Sequence, residues 1–112
     1  MDIKQTNLTL LLLLTAALME AAGDAAVRLG LHASTTIARL ALFVIGGVTL
    51  FAYGYLVNAS SWDFGRLLGV YVVFFFVVAQ ITSWIVFHQR PGTTLMIGGA
   101  FIIAGGIIIS YP

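Results

Sequence analysis

The stretch LTLLLLLTAALMEAAGDAAVRL, residues 8–29, decides the fold. It is long and apolar enough to cross a hydrocarbon core of about 30 Å as a helix rising about 1.5 Å per residue, yet it carries Glu20 in its interior and Asp24 and Arg28 towards one end. An ionisable side chain placed in hydrocarbon is costly unless it is paired, protonated or lining a wet cavity, so an acid there is by default a functional-site candidate. The alternative is a structural acid, protonated or hydrogen-bonded, through which nothing moves.

The rest of the chain has the same character. Of 112 residues, 61% are hydrophobic and 8% charged, with a mean hydropathy of +1.08, against about 25% charged residues in a soluble domain. This is the composition of an integral membrane protein. Three further apolar segments, residues 37–57, 65–87 and 94–110, follow the first, separated by the polar breaks His32-Ala33-Ser34-Thr35, Asn58-Ala59-Ser60-Ser61-Trp62-Asp63 and His88-Gln89-Arg90-Pro91-Gly92. Only helices satisfy their own backbone groups in such spans, since open strands leave edges unpaired. Short breaks make consecutive helices antiparallel neighbours. The expectation is therefore an all-α fold, a membrane four-helix bundle in which residues 1–112 form a single transmembrane domain with no length left for a soluble module.

The N-terminal run also has features of a signal peptide, with Lys4 ahead of an apolar stretch and small residues Ala21, Ala22 and Gly23 behind it. Glu20 beside that site, and apolar character continuing to Leu29, favour a retained first span. Asn7-Leu8-Thr9 and Asn58-Ala59-Ser60 fit the glycosylation sequon but lie hard against spans and are read as chance matches. A net charge of +1 gives no electrostatic case for nucleic acid. No Gly-rich phosphate loop, nucleophile triad or His/Cys ligand spacing is present, so neither enzyme chemistry nor a metal or cofactor is expected. The chain has no cysteine, hence no disulfide or thiolate site.

With four spans, Lys4 and Arg66 fall on one side of the membrane and Arg28, Arg39 and Arg90 on the other. So small a positive-inside bias leaves insertion in both orientations open, although Arg28 near a helix end could still set one topology. Tyr53, Trp62, Trp84 and Tyr111 lie towards segment ends and read first as interfacial anchors.

Within the first helix Glu20, Asp24 and Arg28 recur at i, i+4 and i+8 and share a face, with Ala16, Ala17 and Gly23 beside them. Asp24 and Arg28 can pair with each other, leaving Glu20 as the acid for which a proton and a cationic ligand compete. Glu20 itself cannot reach Arg28, about 12 Å away along the axis. In the last helix Gly98 and Gly105, and Gly99 and Gly106, repeat at seven residues, a spacing that returns to one face and admits a close backbone, within the protomer or between subunits. The third helix carries Tyr71, which could meet a cation through its ring or hydroxyl, then Phe74, Phe75 and Phe76, and polar Gln80, Thr82 and Ser83. Aromatics in such a span are more often lipid-facing or core filler than a cation-binding wall.

These residues together resemble the small multidrug resistance family of proton-coupled exporters, within the drug/metabolite transporter superfamily. The resemblance runs over nearly the whole chain and rests on three matches. Ala17-Leu18-Met19-Glu20-Ala21-Ala22-Gly23 followed by Arg28 is similar to the family's first-helix signature; Ser83-Trp84-Ile85-Val86-Phe87-His88-Gln89-Arg90 to the end of its third helix and basic loop; Gly98 and Gly105 to the glycine pair of its dimer contact. The departures lie where substrate is held. Tyr71 stands in place of a tryptophan, Val73 and Phe75 in place of two glycines that permit a kink, and Asp24 in place of a small or hydroxylated residue. The tyrosine expected halfway along the second helix is missing, with Gly46 and Gly47 in that region. Gly65-Arg66 followed by Tyr71 is also similar to a more distant branch of small four-helix membrane proteins.

The resemblance implies a multi-pass protein of the bacterial inner membrane, an antiparallel homodimer of dual topology with Gly98 and Gly105 at the interface. It further implies antiport of protons against organic cations at a site built from Glu20, Tyr71, Gly23 and Asp24. Two readings compete with it. A non-transporting or heteromeric subunit would use Phe74, Phe75 and Phe76 to fill the chamber; a lipid-carrier translocase subunit would place Arg28 or Arg39, rather than Glu20, at its centre.

Overall fold

The computed structural model describes residues 3–111 and is all-helical: α1 (Ile3–Leu31), α2 (Thr36–Asn58), α3 (Phe64–Phe87) and α4 (Thr93–Ser110). All four helices are long and apolar enough to cross a membrane. α1 begins at Ile3 rather than Leu8, because no glycine or proline interrupts Lys4-Gln5-Thr6-Asn7 and the helical backbone ladder does not depend on side-chain hydropathy.

Each break has its own stop and start. Thr35 caps α2, its hydroxyl accepting from the Ala38 N–H at 3.1 Å. The Arg39 guanidinium reaches back to the carbonyl of Gly30 (3.3 Å), which also accepts from the Ala33 N–H, and to that of Ala33 (3.2 Å) in the following turn, tying α2 to the end of α1. α3 ends at His88, which takes the left-handed conformation (φ 56°) while its N–H bonds Trp84 O and that of Gln89 bonds Ser83 O. This is the wrapped helix end usually built with glycine.

α1 packs against both α2 and α3, and α4 packs against α3. The helices are thus laid out in the order α2, α1, α3, α4, in a slab only 20 Å across its thinnest direction. Short breaks predict that consecutive helices are neighbours; that holds for α1–α2 and α3–α4 but not for α2 and α3, because α1 lies between them. Small residues explain why α1 is the centre. A methyl at Gly23 would stand 2.8 Å from Leu50 Cγ and 3.2 Å from the Gly46 carbonyl, and one at Gly46 2.7 Å from Val27 Cγ2, so the pair admits α2 at near-backbone distance. Ala16, Ala17 and Ala21, all buried, do the same for α3. The α2 and α3 backbones, by contrast, do not pack closely and meet through the rings of Tyr53 and Tyr71.

α4 is held to α3 by Gly99 against Phe76 and Gly106 against Val73, and at its end by Arg66, whose Nη2 donates to Ser110 O at 2.6 Å while its guanidinium covers the Trp62 ring at 5.1 Å. The outer faces of α2 and α4 remain strongly apolar and exposed, with Phe51 and Phe101 each at 77%. Such surface suits lipid or a second helix layer, not water.

Candidate functional site

Glu20 projects from the middle of α1 towards α3, where Tyr71 donates its hydroxyl to Glu20 Oε1 at 2.8 Å. Tyr71 is 4% exposed, and its neighbours Leu67 and Val70 on α3 pack with Leu13, Ala16 and Ala17 of α1 in one core. The alanines let the two helices approach, and the phenol then spans the remaining gap to the carboxylate. A hydrogen bond from a neutral donor to a carboxylate within the membrane supplies part of the solvation that water would otherwise provide.

Tyr71 stands in a ladder of rings. Tyr53 of α2 stacks on it at 5.8 Å and 21°, and Phe75 on the other side at 6.4 Å and 22°. Tyr53 thus packs inside the protein against the ring that holds Glu20, rather than serving only as the interfacial anchor expected from its place near a segment end. A tyrosine of α2 therefore does stand beside Tyr71, although the position halfway along the helix lacks one. The hydrophobic pattern of α2 gave no sign of it, since an aromatic near a span end is usually an anchor; the signal available was the register of Tyr53 relative to Gly46, seven residues earlier on the face that meets α1.

The other expected site residues are distributed differently. Gly23 lies in the α1–α2 contact, against Gly46 and Leu50. Asp24 is exposed and lines a cleft of about 500 Å³ between α1, α2 and α3. It makes no ion pair with Arg28, contrary to the pairing considered from their i+4 spacing. The Arg28 guanidinium instead lies over the Phe87 ring at 5.3 Å, because α3 ends beside α1 and offers an aromatic face there. Val73 and Phe75, at the places of the absent kink glycines, leave α3 continuous from Phe64 to Phe87, with Val73 against Gly106. Of the two glycine pairs of α4, Gly99 and Gly106 contact α3, whereas a methyl at Gly98 or Gly105 would meet nothing within 4 Å. The second pair faces away from the protomer.

The site can therefore hold a single positive charge, or a proton, at one carboxylate bonded by the Tyr71 phenol and walled by the aromatic faces stacked on it. Comparison with known proteins gives the family of the chain. Residues 7–112 match the family described as "Uncharacterised BCR, YnfA/UPF0060 family". Two UPF0060 membrane proteins are similar over 70 residues: one from Herpetosiphon aurantiacus, 30% identical over 61% of this chain and 64% of the relative, and one from Clostridium beijerinckii, 33% identical over 61% and 63%. The chain thus spans somewhat under two thirds of the length of these relatives. No solved structure matches it. The likeness to small multidrug resistance proteins accordingly stands as kinship at the level of the superfamily rather than as family membership. The chain belongs to the YnfA/UPF0060 family of multi-pass bacterial membrane proteins, within the drug/metabolite transporter superfamily.

Proposed function

We propose that this protein exports organic cations in exchange for protons, using Glu20 as the shared binding group of both. The observation that carries the reading is the Glu20 carboxylate inside a membrane span, hydrogen-bonded by Tyr71 at 2.8 Å and walled by stacked aromatic rings. Hydrogen bonds make the ionised form tolerable, and ring faces favour an apolar cation that replaces a departing proton. Because both ligands need the same oxygen atoms, binding of one expels the other, and that exchange is the coupling.

The working unit in this reading is a homodimer of oppositely inserted protomers. One slab 20 Å thick cannot enclose a path for an organic cation, whereas a chamber between two slabs can. The outward-facing Gly98 and Gly105 supply a close-contact surface for the second copy, and the near-even distribution of Lys and Arg permits both insertions. A carrier-lipid translocase finds less support, since Arg39 donates to the carbonyls of Gly30 and Ala33 and Arg28 lies over the Phe87 ring, both at helix ends rather than beside Glu20.

The test is calorimetric binding of tetraphenylphosphonium to the full chain in lipid nanodiscs across pH. Affinity is expected to fall on acidification and to disappear in Glu20→Gln. Affinity that ignores pH, or survives that substitution unchanged, overturns the proposal.

A further inference from the structure

We infer that the cleft between α1, α2 and α3 is the vestibule through which a cation reaches Glu20, with Asp24 as its first carboxylate contact and the Phe75 ring as the door between the two acids. This rests on the proposed role of Glu20 and adds a route and an order of contacts to it.

The cleft of about 500 Å³ is lined by His32 and Gln89, which follow the ends of α1 and α3, and by Asp24, Ala21 and Phe75 from within those helices. That volume lies within the range of small-molecule sites, roughly 300–1,000 Å³. Glu20 lies just beyond the lining: Ala21 is its chain neighbour, and Phe75 stacks on the Tyr71 ring whose hydroxyl holds it. Asp24 is one helical turn outward on α1, a step of about 6 Å along the axis.

Asp24 is suited to capture because no described residue pairs with its carboxylate. Arg28, which lines the same cleft one turn further out, is turned onto Phe87, and among the described residues Asp24 has no hydrogen bond or ion pair. An unpaired carboxylate beside apolar walls such as Leu50 and Phe87 attracts an organic cation more strongly than one in open water, since charge there is less screened. The apolar wall accepts the body of the guest while the carboxylate fixes its charge, so the class selected is a bulky organic cation with a single charge centre. Passage inward then requires the Phe75 ring to leave its stack on Tyr71, a side-chain rotation and not a helix movement.

The experiment follows ethidium association by stopped-flow fluorescence with the full chain in liposomes, at several salt concentrations. Asp24→Asn is expected to slow association about tenfold and to flatten its salt dependence, as loss of a steering charge does, with Asp24→Glu restoring both; Phe75→Ala is expected to accelerate it. Ala79→Trp, which narrows the same cleft, is expected to slow it without touching any charge, and serves if Asp24→Asn folds poorly. If Glu20→Gln abolishes binding while association in Asp24→Asn and Ala79→Trp matches the native chain, the vestibule is refuted and the role of Glu20 stands. If Glu20→Gln binds ethidium normally, both fail together.

Discussion

The two glycine pairs of α4 allow a test in which neighbouring residues give opposite signs. A methyl placed at Gly106 would collide with Val73 of α3, and Gly69 O lies 3.9 Å away behind it. Valine is stiff at χ1 and cannot swing clear, so Gly106→Ala must push α4 from α3 at a cost of about 1–3 kcal/mol, the range for overpacking. Gly99→Ala meets the rim of the Phe76 ring; a ring can turn, and its cost should fall at the lower end of the same range. Gly98→Ala and Gly105→Ala meet nothing within 4 Å and should stabilise the isolated protomer by roughly 0.5–1 kcal/mol each, through the reduced backbone freedom of alanine. Thermal unfolding in detergent at dilutions that keep the chain monomeric measures both signs. Gly105→Leu, measured by energy transfer between labelled copies in bilayers, then asks whether the outward pair forms the subunit contact. Equal stability of Gly106→Ala and the native chain would refute the packing of α4 on α3; unchanged energy transfer in Gly105→Leu would refute the proposed interface while leaving that packing intact.

Two further outcomes are expected. Tyr71→Phe removes the 2.8 Å bond to Glu20 and keeps the ring stack; a hydrogen bond to a charged group contributes about 1.5–3 kcal/mol, so tetraphenylphosphonium affinity should drop at least tenfold, and calorimetry showing no change would mean the phenol does not serve the bound state. His88→Gly relieves a left-handed residue at the end of α3 (φ 56°); the relief of about 1–2 kcal/mol, less the greater chain freedom of glycine, should raise stability by roughly 0.5–1 kcal/mol in the same unfolding assay, and a loss of stability would show that the His88 side chain matters more than its backbone.

The four spans were legible because the bilayer imposes a length and composition on each of them; the helix bounds Thr36–Asn58, Phe64–Phe87 and Thr93–Ser110 depart from the apolar segments by a residue or so. Glu20 and Tyr71 were both legible as site candidates, one from the cost of an acid in hydrocarbon and the other from a ring and hydroxyl able to meet a cation. Tyr53 was misread, because hydropathy reports depth in the membrane and carries no information on which way a ring turns. The same blindness covers Arg28: an i+4 spacing to Asp24 describes a possible pair within one helix, and the competing face of Phe87 belongs to another.

What the sequence by itself determined is a chain of four membrane helices with one acid where hydrocarbon would forbid it, since those properties follow from local composition and the energetics of a single span. Only the tertiary structure decided that α1 is the central helix, that Tyr53 stacks on the Tyr71 ring, and that Gly99 and Gly106 rather than Gly98 and Gly105 bind α4 to its own protomer. Helix rotation is the reason. Adjacent glycines on one helix point about 100° apart, and which of them meets a neighbour depends on packing against the whole of that neighbour's surface.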